Sequence, residues 1–315
     1  MSITASSPAT PTSFATSVPR QYVHKRAESE VLLNGWLPVG ENRHRVTARW
    51  PLGHSFYGPT DGLHDPLLVA ETVRQCVPLL SHAAYGVPFG HRQTWSRFGY
   101  RIDPAVLAAT GTDAAVELRI TCSDVLRRGS RLASLTMNAE LLVDGLFLGT
   151  AHTTFANLSP AVYPRLRGPY ADLAEATRRA VPLAPPMPPV QVARAEHTDV
   201  VLSPTNSPAR HQLRVDLSHP ALFDHPVDHV PGMLLLEAAR QATHAVARPR
   251  PMVATAMEAS FTRYVELDAP CWIHTEPAAD TPRAATGPVR LSAVQNGTSA
   301  FSAVVVPTPV DLVRR

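Results

Sequence analysis

The stretch HVPGMLLLEAARQATHA, residues 229–245, decides the fold, because it repeats an earlier stretch, HDPLLVAETVRQCVPLL, at residues 64–80. Both stretches are apolar almost all the way round a helical projection, which is the pattern of a helix buried on every side. Both also contain a polar triplet of Glu, then Arg three residues later, then Gln. The triplets are Glu71, Arg74 and Gln75 in the first stretch and Glu237, Arg240 and Gln241 in the second. The chain is therefore predicted to contain two copies of one unit, each built around a buried helix.

Each polar triplet lies on one face of its helix, because residues three and four apart are neighbours on a helical surface. A buried charge is costly unless it is paired or its pKa shifts. Two interpretations follow. The triplet is an internal ion pair that both units inherited from a duplication, or it is a catalytic or substrate-binding face that looks into a cavity. The spacing of the residues leaves both open.

The starts of the two helices differ. In the second copy Pro231 suits the first helical position, and Gly232 allows a ligand to approach free N–H groups, which the helix dipole makes attractive to a carbonyl oxygen or an anion. In the first copy Asp65 and Pro66 take these places, and no glycine follows. We therefore expect the two sites to be non-equivalent.

Four histidines also repeat in register. They are His54 and His64 in the first copy and His219 and His229 in the second. A histidine beside a helix start is at least as often a structural hydrogen-bonding residue as a catalytic one, and His229 is the stronger catalytic candidate. The run HPVDH at residues 225–229 has residue types that bind metals but not a metal-binding spacing, so we predict no metal site and interpret Asp224 and Asp228 as turn residues.

The composition argues against several classes of function. The 315-residue chain carries 29 Lys and Arg against 26 Asp and Glu, without a basic run interleaved with aromatic residues, so we expect no nucleic-acid binding. No stretch is apolar for long enough to cross a membrane, and the N-terminal residues do not resemble a signal peptide. Three widely spaced cysteines indicate neither a disulfide framework nor a metal site. We predict a cytoplasmic protein without a cofactor.

The order of predicted elements divides the chain into four parts. Residues 1–20 are predicted to be a flexible tail, 21–160 a first unit, 161–195 a proline-rich crossing linker with a short helix at DLAEATRRA, and 196–315 a second unit. In each unit strands follow the buried helix, with hairpin turns predicted at Asp144-Gly145 and Asn296-Gly297. A long helix wrapped by one antiparallel sheet is the hotdog arrangement. The predicted fold class is therefore α+β, a double hotdog whose two units form a pseudo-dimer.

Several short motifs, taken in order along the chain, resemble those of one family. They are VHKRAESEVLL, WPLGHSFY, ETVRQ, DHVPGMLLLEAARQA and ASFTRYVEL, and they extend through both units. The chain resembles the A-factor biosynthesis (AfsA-type) family, acyltransferases that start the synthesis of γ-butyrolactone signals controlling secondary metabolism. The second helix and its HxPG start also resemble the hotdog dehydratases of fatty-acid synthesis.

The resemblance implies transfer of a 3-oxoacyl group from acyl carrier protein to the hydroxyl of dihydroxyacetone phosphate, giving a phosphorylated 3-oxoacyl ester. It further implies that the acidic and basic active residues are Glu71 and Arg240, one from each unit. We accordingly predict catalytic roles for Glu71, Arg240 and Glu237, and substrate binding by Arg74, Gln75, Gln241, Gly232, His229 and His64.

The chemistry of these residue types suits such a reaction. A carboxylate whose pKa is raised by an apolar pocket can act as general base on the attacking hydroxyl, and Glu71 is the candidate. Backbone N–H groups near Gly232 would hold the thioester oxyanion. Arg240, together with Arg74, would bind the phosphate or the developing charge through bidentate contacts.

Two other functions remain open. A hotdog dehydratase or thioesterase would use Glu71 or Glu237 on an acyl thioester, with a β-hydroxyl or water in place of the sugar-phosphate hydroxyl. A non-catalytic hotdog would bind a fatty-acyl signal and report it to a partner. The sequence is compatible with a monomeric pseudo-dimer and with a homodimer.

Overall fold

The structure is a computed structural model and describes residues 13–14, 17–276 and 287–313. Its strands are β1 (Leu33–Gly40), β2 (Arg43–Trp50), β3 (Arg92–Ile102), β4 (Ala114–Arg128), β5 (Arg131–Val143), β6 (Leu146–Leu158), β7 (Leu202–Ser203), β8 (Arg210–Leu213), β9 (Met252–Phe261), β10 (Cys271–Glu276), β11 (Val289–Gln295) and β12 (Thr298–Pro309). Its α-helices are α1 (Leu67–Leu79), α2 (Tyr163–Arg167), α3 (Leu173–Arg178), α4 (Gly232–Ala247) and α5 (Val310–Val313).

These strands form one antiparallel sheet in the order β1-β2-β4-β5-β6-β3-β9-β12-β11-β10-β8-β7. The second half of this order is the first half reversed, with β7 to β12 in the places of β1 to β6. The two units are therefore related by a pseudo-twofold axis that passes between β3 and β9, where Arg97 pairs with Ser260 and Phe98 with Ala259. The prediction of a double hotdog is confirmed.

Each unit wraps its half of the sheet around one long helix. Every residue of α1 except Arg74 is buried, and in α4 all residues from Met233 to Thr243 are buried. Burial of one large apolar side chain stabilises a fold by about 1.5–3 kcal/mol, so these helices form the centres of the two cores. Both lie where the repeated stretches predict them.

The two predicted hairpin turns are present. Asp144 and Gly145 connect β5 to β6 with φ values of 48° and 83°, and Asn296 and Gly297 connect β11 to β12 with φ values of 51° and 73°. Two successive residues with positive φ are the requirement of a type I′ turn, which matches the right-handed twist of the flanking strands.

The chain before residue 20 and the crossing linker make contacts that the sequence does not predict. Phe14 forms a bridge with Trp36, and Val18 is buried, so the chain already packs against the first unit before residue 20. Residues 1–12 and 15–16 of the predicted tail lie outside the described residues. The crossing linker contains the predicted short helix, α3, but also an unpredicted one, α2, and its Met187 N–H donates to the carbonyl of Leu202 at 2.9 Å.

Among the described residues, no helix is both long and apolar enough to cross a membrane.

Gly149 in β6 provides a test of the close approach between β6 and β3. It pairs with Ile102, has φ +153°, and a Cβ atom there would overlap with the carbonyl oxygen of Arg101. We expect Gly149→Ala to lower the free energy of unfolding by about 1–3 kcal/mol or more, because the overlap is with backbone that cannot rotate away. Urea denaturation measures the change.

Gly53→Ala is the matched control, because a Cβ atom there meets no atom within 4 Å. Its effect should stay within about 0.5 kcal/mol. Equal effects of the two substitutions would contradict the close approach of β6 to β3.

Candidate active site

The two polar triplets are buried ion-pair clusters built to one plan. In the first, Glu71 accepts two hydrogen bonds of 2.9 Å from Arg74, and its Oε1 lies 3.1 Å from the Nζ of Lys25. In the second, Glu237 accepts two hydrogen bonds of 2.8 Å from Arg240 and one of 2.8 Å from Arg194. Each carboxylate is thus neutralised by the arginine on its own helix and by a cation that precedes the first strand of its unit.

The pairing of Lys25 with Glu71 and of Arg194 with Glu237 shows a further repeat that the sequence analysis missed. Aligning VHKRAESEVL, residues 23–32, with VARAEHTDVV, residues 192–201, superimposes the two cations. The signal was present in the sequence but weak, because the two segments are identical only at two valines, and the cations themselves are a lysine and an arginine.

The two glutamines bind backbone groups of the segment before the first strand of their unit. Gln75 accepts from the N–H of Leu32 at 2.9 Å and donates to the carbonyl of Glu30 at 2.7 Å. Gln241 likewise accepts from the N–H of Val201 at 2.9 Å and donates to the carbonyl of Asp199 at 2.8 Å. Each glutamine therefore attaches the segment before the first strand to the central helix.

Two of the four repeated histidines, His54 and His219, accept hydrogen bonds from backbone groups. The Nδ1 of His54 accepts from Phe56 and Tyr57 N–H groups at 3.1 and 3.2 Å. The Nδ1 of His219 accepts from the N–H groups of the corresponding turn at 3.2 and 3.1 Å. His64 is 1% exposed and packs near Trp50, with its pKa lowered by burial. These contacts leave His229 as the member of the set that faces open space.

A cavity of about 790 Å³ lies between α1 and the start of α4. The first unit contributes Glu71 and Arg74 to its wall, and the second contributes His229, Gly232 and Met233. Its apolar lining includes Val77, Trp95, Leu222, Val227, Leu235 and Phe261. The cavity is therefore shared by the two units and is both large enough and apolar enough for an acyl chain.

Five of the predicted site residues do not line this cavity. They are Glu237, Arg240, Gln75, Gln241 and His64. The expectation that Glu71 and Arg240 face one site is therefore not met by the geometry. Glu237 has no exposed surface, and the guanidinium of Arg240 is occupied by that carboxylate.

The contacts of Arg194 explain why the second triplet, unlike the first, does not border this cavity. Its Nη1 lies 3.1 Å from Asp65 Oδ2 and donates to the carbonyl of Phe56 at 2.7 Å, and its guanidinium stacks 4.0 Å from the Phe56 ring centre. Asp65, at the start of α1, thus supplies a second carboxylate from across the seam. The corresponding residue before α4 is Val230, which offers Lys25 no such partner. The two helix starts therefore differ.

The pKa of Glu71 is lowered, whereas the sequence predicted that it is raised. Burial by itself raises the pKa of this carboxyl, but the ion pairs with Arg74 and Lys25 outweigh burial and lower the pKa to about 2. The expected raised pKa of Glu71 is therefore wrong, because two cations lie beside the carboxylate within its apolar surroundings. The pKa of Glu237 is lowered in the same way, by Arg194 and Arg240 against burial.

His229 has the contacts of a general base. Its Nδ1 lies 2.7 Å from Asp228 Oδ1. The same carboxylate accepts from the Tyr163 hydroxyl at 2.6 and 2.9 Å and from the Arg167 Nε at 3.4 Å. Although burial raises the pKa of Asp228, these hydrogen bonds and charges lower it overall, so the carboxylate is ionised and can only accept. Nδ1 therefore donates to this carboxylate, and Nε2 is the ring nitrogen that Asp228 does not bind.

Asp228 is thus a partner of His229 and not merely a turn residue, which corrects the sequence interpretation. The residues that bind the Asp228 carboxylate, Tyr163 and Arg167, come from α2 in the crossing linker. Arg167 is fixed in turn by two hydrogen bonds of 2.6 Å to Glu266 and by stacking 4.1 Å from the Tyr264 ring centre. No local pattern in the sequence connects Tyr163 or Arg167 with Asp228, since more than 60 residues separate them.

The start of α4 opens onto the cavity. None of the described residues accepts from the N–H groups of Gly232 and Met233, whereas Leu234 N–H donates to the Pro231 carbonyl at 3.0 Å. The sequence predicted that Gly232 lets a ligand approach the helix start, but the structure shows a different need for glycine at this position. A Cβ atom at Gly232 would lie 3.2 Å from Trp95 and 3.4 Å from Phe261, so close packing of aromatic rings accounts for the residue.

The ion pairs of Glu71 predict a dependence of stability on pH. The pKa of Glu71 falls from its ordinary 4.5 to about 2 on folding, so its stabilisation is fully present above pH 4.5 and is lost as the pH falls towards 2. We expect Glu71→Gln to lower the free energy of unfolding by about 3–5 kcal/mol at neutral pH, because Lys25 and Arg74 lose their counter-charge. The difference from wild type should shrink near pH ~3.

Denaturation at the two pH values measures this difference, with Glu140→Gln as an exposed glutamate control on β5. A penalty for Glu71→Gln that is independent of pH would show that the ion pairs do not stabilise the fold.

Comparison with known proteins agrees with the resemblance in the sequence. The profile of the A-factor biosynthesis hotdog domain matches residues 6–159 and 175–311. The 2-oxo-3-(phosphooxy)propyl 3-oxoalkanoate synthase of Streptomyces virginiae is 46% identical over 291 residues, which cover 92% of this chain and 97% of the relative. The synthase of the same name from Streptomyces coelicolor is 38% identical, over 91% of this chain and 90% of the relative.

Solved structures show the same fold at low identity. A putative oleoyl thioesterase from Lactobacillus plantarum superimposes with a TM-score of 0.51 and 13% identity, over 86% of this chain and 98% of that chain. The pyran synthase domain from module nine of the sorangicin pathway gives a TM-score of 0.51 and 14% identity, over 91% of this chain and 100% of that chain. Since the profile and the sequence relatives cover both units, this chain belongs to the A-factor biosynthesis hotdog family.

Proposed function

We propose that the chain is an acyltransferase that joins a 3-oxoacyl group from acyl carrier protein to the hydroxyl of dihydroxyacetone phosphate. The name of the relatives describes the ester that this reaction gives. The observation that carries the proposal is the pair of His229 and Asp228 at the open start of α4, on a cavity of about 790 Å³. A base, a free helix start and an apolar cavity are what acyl transfer from a thioester needs.

In the proposed reaction the Nε2 of His229 takes the proton of the acceptor hydroxyl as its oxygen attacks the thioester carbonyl. The C–O bond forms and the carbonyl oxygen becomes an oxyanion. The C–S bond then breaks, and the proton passes from His229 to the departing thiolate, so that an ester and a free carrier thiol are produced. Asp228 stabilises the imidazolium that exists between these steps, since it is an ionised carboxylate 2.7 Å from Nδ1.

The oxyanion is held by the start of α4. The N–H groups of Gly232 and Met233 have no acceptor among the described residues, and the dipole of a 16-residue helix favours negative charge at this end. Fixed donors of this kind typically contribute about 3 kcal/mol each to the transition state.

Glu71 is not the base in this proposal. A carboxylate with a pKa of about 2 takes a proton poorly at neutral pH. Its role is to keep Arg74 and Lys25 on the cavity wall. Arg240 and Glu237 hold the second unit together and take no part in the reaction, because their charges neutralise each other away from the cavity.

Both halves of the proposed site come from one chain, so a monomeric pseudo-dimer is sufficient for activity. We further propose a cytoplasmic location, since Cys76, Cys122 and Cys271 are all free thiols, as is usual in a reducing compartment.

The proposal is tested by incubating the protein with a 3-oxoacyl carrier protein and dihydroxyacetone phosphate and examining the products by mass spectrometry. The expected product is an ester that retains the phosphate, formed together with free carrier thiol. A free 3-oxo acid would indicate a thioesterase, and an enoyl thioester from a 3-hydroxyacyl carrier would indicate a dehydratase. Tight binding of the acyl chain without turnover would indicate a non-catalytic acyl-signal-binding protein.

His229→Ala should lower kcat by about two to four powers of ten, because it removes the base, while the melting temperature stays close to that of wild type. Asp228→Asn should also lower kcat, since an amide no longer stabilises the imidazolium. Steady-state kinetics with the carrier substrate measure both effects.

His197→Ala is the matched control, because His197 is exposed and does not line the cavity. Full activity of the His229 variant would remove this residue from the mechanism.

A further inference from the structure

The wall of the cavity carries more positive than negative charge that is free to act on a ligand. Its cationic side chains are Lys25, Arg74, Arg92, Arg167 and Arg263. Three of them are paired with carboxylates. Lys25 and Arg74 share Glu71, and Arg167 binds Glu266 and Asp228.

Arg92 and Arg263 are different. Within residues 13–14, 17–276 and 287–313, no carboxylate forms an ion pair with either of them, and both are exposed where they border the cavity. The guanidinium of Arg92 lies over the ring of Tyr163, 5.6 Å from its centre. A guanidinium presents several N–H donors in a fixed planar arrangement that suits a bidentate acceptor.

The sheet brings these two arginines to the same place. Arg92 begins β3, and Arg263 follows the end of β9 by two residues. The two strands are antiparallel neighbours, with Arg97 opposite Ser260. The start of β3 and the end of β9 therefore lie at the same end of the seam, so one arginine from each unit borders the same opening of the cavity.

We propose that Arg92 and Arg263 bind the phosphate group of a phosphomonoester that enters this cavity as the acyl acceptor. This inference rests on the proposed function, which it extends by locating the acceptor's phosphate. A phosphomonoester is close to a dianion at neutral pH, and two guanidinium groups balance that charge. Arg74 and Arg240, which the sequence predicts in this role, already have carboxylate partners.

Two phosphates could reach the opening. One is the monoester of the acceptor, and the other is the phosphodiester in the prosthetic arm of the carrier protein. The diester carries a single negative charge, whereas the pair of arginines matches the two charges of the monoester. The proposal therefore commits to the acceptor, and the experiment separates the two sources.

The experiment measures binding by calorimetry, without turnover. The probes are dihydroxyacetone phosphate and dihydroxyacetone, with wild type, Arg92→Gln, Arg263→Gln and the double variant. We expect each substitution to raise the Kd for dihydroxyacetone phosphate by about tenfold or more and to leave the Kd for dihydroxyacetone unchanged. Both arginines are exposed, so melting temperatures should be unaffected.

Arg290→Gln is the matched control, because Arg290 is exposed on β11, outside the cavity wall, and its loss changes the net charge equally. It should alter the Kd for dihydroxyacetone phosphate less than about twofold, which excludes long-range attraction as the cause. An unchanged Kd for dihydroxyacetone phosphate in the double variant would overturn the proposal.

Steady-state kinetics supply the second arm. A rise in KM for the acyl carrier protein, without a change in the Kd for dihydroxyacetone phosphate, would assign the arginines to the carrier arm and also overturn the proposal. If the Kd for dihydroxyacetone phosphate changes as expected but no ester is formed, the phosphate site stands and the acyltransferase function is refuted. The two failures are therefore distinguishable.

Discussion

A carboxylate placed in the middle of a helix that is buried on all sides must be neutralised, and much of the internal architecture follows from how each unit meets that requirement. The arginine one turn later supplies one cation. The segment before the first strand supplies the other, Lys25 in the first unit and Arg194 in the second. The glutamine that follows the arginine fixes this segment by its backbone. The polar triplet therefore connects the central helix to the edge of its own unit.

The difference between the two units begins with the same interaction. Arg194 reaches a carboxylate across the seam, Asp65, and fills the space at the start of α1. Lys25 has no partner there, because Val230 takes the equivalent position. The start of α4 consequently opens onto a cavity, and its N–H groups are available to a ligand. A duplication that produced two similar helices has thus left one helix start closed by an ion pair and the other open.

The proposed catalytic group lies beside the triplet and not within it. His229 is oriented by Asp228, which depends on Tyr163 and Arg167 of the crossing linker. This linker does more than connect the units, since it holds the acidic partner of the base. The triplet of the first unit still borders the cavity, where Glu71 keeps two cations in place with a pKa far below the pH at which it could serve as a base.

The sequence by itself determined the duplication, the two buried helices, the hairpin turns and the family, because helical periodicity and turn chemistry are local properties and the motifs occur in a fixed order. It also indicated that the helix starts differ, and it made His229 the strongest catalytic candidate among the four repeated histidines. Only the tertiary structure decided which charged groups reach the cavity. Whether Glu71 is a base or half of an ion pair depends on Lys25, and whether the second triplet is open depends on Arg194 meeting Asp65. Contacts between residues so distant along the chain leave no periodic pattern, so neither the pKa of a buried carboxylate nor the role of Asp228 could be read from spacing.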